Sequence, residues 1–214
     1  MLGAAGLLIT LPLDGPLQAG IRALGRLLGG DLLRELEVLQ QYGALGSLVL
    51  IALIIWLQDV HRRARLLDLA AAIVSTGAVI LLMKGLIGRV RPRGHMLDDY
   101  GPMSFLGPFG AVPGEPGQGV VRPWQFLAEG VSDIQSMPSS HTAYAVALSV
   151  FLLSMYPRLR PLLIALPIIV GACRVLFGAH WPSDVVAGAA IGAIVASASV
   201  RSAWGRRLFR VRTD

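Results

Sequence analysis

The sequence predicts an all-α fold, an integral-membrane helical bundle of about five transmembrane helices with an interfacial helix at its N-terminal end. Three observations carry that expectation. Hydrophobic residues make up 54% of the 214 positions and charged residues only 15%, against roughly 25% charged in a soluble domain. Mean hydropathy is +0.64, and the apolar residues gather into runs near the length of about 20 residues that a helix needs to cross a bilayer. The basic residues behind the net charge of +6 lie in short segments between those runs, as at a membrane surface and unlike a nucleic-acid-binding patch. A disordered chain and a disulfide-stapled secreted module are excluded by the same composition, and the single cysteine, Cys173, forms no internal disulfide.

Along the chain, residues 2–13 are apolar but too few to span, and they lack the basic lead and small-residue cleavage site of a signal peptide. Residues 17–39 place Leu17, Ile21, Leu24, Leu28 and Leu32 at helical spacing among Arg22, Arg26, Arg34, Glu35 and Glu37. That pattern reads as an amphipathic helix lying in the interface, with a soluble cap on the bundle as the alternative. Spans are expected at 42–57, 66–88, 138–156, 161–179 and 182–200. The last holds Gly188 and Gly192 among alanines, a small-residue face for close helix packing. Three segments result: 1–41 interfacial, 42–200 membrane-embedded, and a basic tail 201–214.

Basic residues fix the orientation. His61-Arg62-Arg63 and Arg65 follow the first span, Arg158 and Arg160 lie between the third and fourth, and Arg201, Arg206, Arg207, Arg210 and Arg212 end the chain. All fall on one side of a five-span serpentine, and the excess of arginine makes that side cytoplasmic. The loop 92–137 then faces outward. Fourteen of its 46 residues are Gly or Pro, so little regular structure is expected there. Phe105, Phe109, Trp124 and Phe126 suit the headgroup level.

Ionisable residues within spans or at their ends are costly in lipid and are functional candidates for that reason. Lys84 is the sole lysine, near the outer end of the second span. Arg91 follows seven residues later and shares its face if the helix continues. Arg174 lies inside the fourth span, Asp184 opens the fifth, and Ser139, Ser140 and His141 open the third. All lie toward the outer ends of their helices. Three cations suit a phosphoryl group, Arg as a planar fork and Lys as a point charge. Pro138 before Ser139 marks a helix start, where free N–H groups and the Ser139 hydroxyl extend the anion site. His180, in the break Gly178-Ala179-His180-Trp181-Pro182, is placed as a nucleophile whose Nδ1–H is held by the Asp184 carboxylate. His141 is the acid that protonates the departing oxygen and then the base for water. No metal or other cofactor is called for, because the fixed cations stabilise the charge and no carboxylate cluster suited to magnesium lies near them.

Lys84-x6-Arg91-Pro92, Pro138-Ser139-Ser140-His141 and Arg174-x5-His180-x3-Asp184 together resemble the three-part signature of the type 2 phosphatidic acid phosphatase superfamily, in its order. The resemblance implies a helical bundle, metal-independent hydrolysis of phosphomonoesters or diphosphates, and a phosphohistidine intermediate. It makes His180 the nucleophile, Asp184 its orienter and His141 the acid/base, with Lys84, Arg91, Ser139 and Arg174 on the phosphate. Ser140 stands where the family usually has Gly, and Cys173 where it usually has Ser before the arginine. The membrane members commonly have six spans, one more than is visible here.

Taken singly, each residue has a plainer reading. Lys84 can snorkel to the interface, Asp184 can favour its helix N-terminus, and Ser139 and Ser140 can be caps. Arg89 and Arg93 read as headgroup anchors, Trp181 as an interface anchor or lipid flank, Cys173 as packing, and His61 and His95 as surface residues. The expected activity is that of an integral-membrane phosphatase acting on a lipid phosphate or diphosphate at the outer face of the cell membrane. Phosphatidate, phosphatidylglycerophosphate, undecaprenyl diphosphate and a lipid A phosphate are candidates. The partners are the lipid substrate and the bilayer, with no nucleic acid. Two alternatives are a lipid phosphotransferase using the same intermediate and a non-catalytic anion-binding membrane protein, which would need no His180–Asp184 pair.

Overall fold

The computed structural model describes residues 10–93, 101, 103–114, 117 and 119–202. Seven α-helices run through them: α1 (Asp14–Gly25), α2 (Gly30–Leu39), α3 (Leu45–Gln58), α4 (Leu66–Ile87), α5 (Ser140–Leu153), α6 (Arg160–Leu176) and α7 (Pro182–Ser202). Each expected span coincides with one of the apolar helices α3 to α7. Three helical stretches, Val60–Ile87, Pro157–Leu176 and Pro182–Ser202, are long and apolar enough to cross a membrane alone, and Gly30–Gly43 with Leu45–Gln58, bent by 64° at their break, reach that length and apolarity only as a pair. This is a multi-pass membrane protein.

Helix α5 is the shortest of the central helices and the most enclosed. Ala143, Ala145, Ala147, Leu148 and Phe151 are fully buried. Its 14 residues reach about 21 Å at 1.5 Å per residue, short of a hydrocarbon core of about 30 Å. Surrounded by α4, α6 and α7, it has no need to reach both surfaces. Small residues let its neighbours approach. A Cβ at Gly188 would strike the Ser139 carbonyl, one at Gly192 the Ala143 carbonyl, and one at Gly43 the His141 carbonyl. Between helices in lipid, such close packing replaces a hydrophobic driving force. Larger side chains (Leu48, Ile55, Leu69, Phe151, Leu152, Met155 and Leu163) fill the core toward the other end.

The basic connections share that other end. Tyr156 donates to Asp59 at 2.9 Å, Arg65 to Ser154 at 3.0 Å, and Arg62 lies over the Tyr156 ring. The 59–65 and 154–156 turns are therefore level with each other. The described residues of the 92–137 loop and the Phe177–Trp181 break lie at the opposite end.

The N-terminal region departs from expectation. A single helix over 17–39 does not form: Gly29 is extended at φ −65° and ψ 151°, which separates α1 from α2. Helix α1 starts earlier, and it buries Asp14 and Gln18. It is docked on the bundle as well as amphipathic, with the Gln18 amide donating to the Val175 carbonyl at 2.8 Å and Arg22 to the Pro92 carbonyl at 2.9 Å. The apolar start lies outside the described residues up to residue 9, as does the basic tail after Ser202.

The loop has more organisation than its Gly and Pro content suggests. Val112–Pro113 (β1) pairs antiparallel with Val120–Val121 (β2). Val90, Val112, Val121, Val131 and Ile134 form a small core beneath. Of the four aromatic residues, Phe109 and Trp124 are the most exposed. Phe126 covers Gly85 and Phe105 lies over the Arg89 guanidinium at 4.9 Å.

Candidate active site

The site is built where three helix ends meet. Helix α4 delivers Lys84 and then stops: Gly88 adopts φ +57° and its N–H closes on the Lys84 carbonyl at 3.1 Å, a left-handed glycine cap. Arg91 thus does not continue the Lys84 face along one helix. It arrives on the chain that follows. Its backbone N–H donates to the Asp133 carbonyl at 2.8 Å, Nε to the Ser132 carbonyl at 2.6 Å and Nη1 to the Ala179 carbonyl at 3.0 Å. These bonds aim the fork and, among the described residues, leave Nη2 over. Burial, followed by the neighbouring charge of Arg93, draws the Arg91 pKa down.

Helix α6 supplies Arg174 and ends in the same way. Gly178 has φ +64°, and the Arg174 carbonyl accepts from Ala179 N–H at 3.0 Å and His180 N–H at 3.1 Å. The nucleophile candidate is therefore tied by its backbone to the residue carrying the guanidinium. Arg174 Nη1 donates to the Gln40 side-chain carbonyl at 2.9 Å, while its Nε is buried without a hydrogen-bond partner. Cys173 beside it is a buried free thiol. Lys84 lies within Coulombic reach of Arg91, Arg174 and Asp184, and His141 within reach of Lys84, Arg91 and Arg174. Lys84, Arg91, Arg174, His141, His180 and Asp184 thus gather at one end of the bundle, although up to 100 residues separate them in sequence.

His180 is 2% exposed. Its Nδ1 lies 2.7 Å from the Ser136 carbonyl, and the Asp184 carboxylate is farther, at 3.7 Å. Asp184 thus stands one turn from the ring as expected, but the carbonyl, which can only accept, is the closer partner. It requires the proton on Nδ1 and leaves the Nε2 lone pair free. Burial pushes the His180 pKa down to about 3 from 6.5, so the ring is neutral at neutral pH.

Asp184 has other work. Its Oδ1 accepts from Arg89 Nη1 at 2.7 Å, and its Oδ2 from the Ser136 hydroxyl at 2.5 Å and the Trp181 backbone N–H at 2.9 Å. Arg89 is accordingly no headgroup anchor. It is fully buried, and its Nη2 meets Asp14 at 2.6 Å. Trp181 is no interface anchor either: it is 2% exposed and its indole N–H donates to the Val90 carbonyl at 2.9 Å. Arg93 is exposed, as expected of a headgroup contact, and so is His61; His95 lies outside the described residues.

At the start of α5 the expectation holds only in part. Ser139 is the N-cap residue, but its N–H donates to the Asp184 carbonyl at 3.0 Å and its hydroxyl pairs with Thr142 at 3.0 Å. Ser139 therefore locks α5 to α7. The N–H groups that remain for an anion are those of Ser140, His141 and Thr142 in the first turn. Ser140 and His141 are part-exposed.

Sequence reasoning missed Asp14, Ser136 and Ser183, and misread Arg89. Asp14 gave one signal, as the lone acidic residue in the first 30 positions. Ser136 gave none, since it acts through its carbonyl.

A profile of the PAP2 superfamily matches residues 65–208. A lipid A 1-phosphatase of Rhizobium johnstonii is 36% identical over 121 residues, 56% of this chain and 41% of that protein. A lipid A 1-phosphatase of Rhizobium etli is 35% identical over 124 residues, 58% of this chain and 44% of that protein. The matches span less than half the length of these curated relatives. Among solved structures, Aquifex aeolicus LpxE superposes with a TM-score of 0.61 at 18% identity, covering 88% of this chain and 95% of that one. A PAP2-type phosphatidylglycerolphosphate phosphatase of Bacillus subtilis gives 0.55 at 17% identity, covering 92% and 91%. Both share the fold.

Proposed function

The chain belongs to the PAP2 superfamily, and from that premise we propose that it hydrolyses a lipid phosphate through a phosphohistidine on His180. The observation that carries this reading is a buried, Nδ1-tethered imidazole beside three cations that no salt bridge reaches among the described residues. Such a cluster is incomplete without an anion.

In the proposed mechanism, His180 Nε2 attacks phosphorus and the bond to the lipid oxygen breaks. His141, protonated, gives its proton to that oxygen. The ring of His180 now bears a phosphoryl group and positive charge, which the buried carboxylates behind it stabilise. Water then attacks phosphorus, giving its proton to His141, and the P–N bond breaks to release phosphate. Lys84, Arg91, Arg174 and the first-turn N–H groups of α5 hold the equatorial oxygens throughout, so the fixed charges need no divalent cation to assist them.

A lipid A-type phosphate monoester is the preferred substrate, because the curated relatives carry that activity in their names. A cavity of about 380 Å³ supports an amphiphilic ligand: Arg22 and Arg26 stand over apolar Leu33, Leu176 and Phe177, one turn from Arg174. That the reactive end faces away from the basic loops supports an active site on the periplasmic side of an inner membrane.

The test is phosphate release by purified full-length protein across lipid A, phosphatidate, phosphatidylglycerophosphate and undecaprenyl diphosphate, with and without EDTA. Release from lipid A that persists in EDTA and vanishes in His180→Ala is expected. Release surviving that substitution, or restored only by magnesium, defeats the mechanism. Transfer of labelled phosphate to an alcohol or lipid acceptor instead of water would make the protein a phosphotransferase.

A further inference from the structure

We propose that Asp14, on the N-terminal helix, is a positioning residue for His180, acting through Arg89, Asp184 and Ser136. The inference rests on the proposed role of His180 but on different contacts.

Asp14 is fully buried and 166 residues from His180 in sequence. Its Oδ2 accepts from Arg89 Nη2 at 2.6 Å and from the Ser183 hydroxyl at 2.5 Å, and its Oδ1 from the Ser183 backbone N–H at 2.9 Å. Arg89 passes the connection on, since Nη1 donates to Asp184 at 2.7 Å and to the Ser183 hydroxyl at 2.6 Å. Ser136 is then held twice. Its hydroxyl donates to Asp184 at 2.5 Å, and its N–H donates to the backbone carbonyl of Arg89 at 2.8 Å. The Ser136 carbonyl finally accepts the Nδ1 proton of His180 at 2.7 Å. One guanidinium thus serves two carboxylates while its own carbonyl fixes the serine that selects the tautomer of the nucleophile.

Charge points the same way. Arg89 neutralises one of the two carboxylates, so the unit keeps one negative charge behind His180. That charge opposes nothing while the ring is neutral and attracts it once it is phosphorylated and cationic. The Phe105 and Trp181 rings both lie against the Arg89 guanidinium, at 4.9 and 5.4 Å, and Arg89 is fully buried. Asp14 touches none of Lys84, Arg91 or Arg174, so its loss should alter the chemical step and spare phosphate binding.

Asp14→Asn keeps the shape and removes the charge. In the full-length protein it is expected to lower kcat about tenfold with KM unchanged, because a small misplacement of a nucleophile is costly in rate. In an Asp184→Asn background the same change is expected to cost less than about twofold, since the two residues act as one unit. Separately from turnover, ¹⁵N-histidine spectra, assigned with His180→Ala, should show the Nδ1-protonated tautomer in the wild type and a tautomer mixture in Asp14→Asn. An unchanged tautomer, or a kcat loss that is the same in both backgrounds, overturns the inference. The spectra decide the matter even if no lipid phosphate proves to be hydrolysed, which would defeat the proposed function alone. If Asp14→Asn does not fold, Asp14→Glu carries the same test: it keeps the charge, lengthens the reach, and is expected to retain KM and shift the tautomer.

Discussion

Two clusters of charge lie at the same end of the bundle, and they are finished to different degrees. In the one formed by Asp14, Arg89, Ser183 and Asp184, every carboxylate oxygen accepts a hydrogen bond from within the protein. In the other, Lys84, Arg91 and Arg174 lie within Coulombic reach of one another and, among the described residues, no carboxylate makes a salt bridge to them and Arg174 Nε is buried without a hydrogen-bond partner. Burial costs a charge heavily unless it is paired. The closed cluster is therefore satisfied by the folded chain alone, whereas the open one carries repulsion that a bound dianion would remove. Proximity on the helix bundle does not give two charged groups the same function; the count of satisfied partners separates them.

The sharpest way to break this contrast is to cut each cluster once. Arg89→Ala strands two buried carboxylates and should cost about 3–5 kcal/mol of stability, read as a lowered melting temperature in detergent. Lys84→Ala or Arg174→Ala should leave melting unchanged or slightly raised while lowering kcat/KM about 10²- to 10³-fold, as measured by phosphate release. A matching fall in stability from Lys84→Ala would erase the distinction between the clusters. Gly188→Ala sits on the seam between them, where an added methyl meets the Ser139 carbonyl. Overpacking of this kind should destabilise by about 1–3 kcal/mol, and a variant with wild-type melting would show that α5 and α7 have room to part.

The gentlest perturbation is pH. The folded pKa of His180 is depressed to about 3 from 6.5, so between those values the unfolded chain binds the proton that the native ring refuses. Stability from this group is therefore complete above about pH 6.5 and is lost as pH falls toward 3. Formation of the phosphoenzyme in a single turnover should keep a competent nucleophile down to about pH 5. A loss of His180 reactivity centred near pH 6.5 would mark a solvated imidazole and an open, wet site.

The open cluster was legible in the sequence because lipid makes ionisable side chains rare, and the few that occur draw attention. Lys84, Arg91, Arg174, His141 and His180 stood out on that ground, and the apolar runs gave the helices that carry them. The closed cluster was largely illegible. Arg89 looks like a second arginine near a headgroup until Gly88 turns the chain and carries it inward. Ser136 contributes a backbone carbonyl, which no side-chain pattern reports. The break at Gly29 and the small core under the loop likewise depend on contacts between distant segments rather than on local periodicity, as does the recruitment of Asp14.

Asp14 and Ser183, 169 positions apart in sequence, are joined by two hydrogen bonds. During synthesis the first of these residues leaves the ribosome long before the second, and a long loop must close before they meet. Of the two carboxylates that Arg89 meets in its ion pairs, Asp14 is made first and Asp184 only with α7, so His180 acquires its final orientation only once α7 is in place. Assembly of the candidate site in this way waits for α7, so that a product terminated before that helix would carry Lys84, Arg91 and Arg174 without Asp184 to complete the cluster behind them.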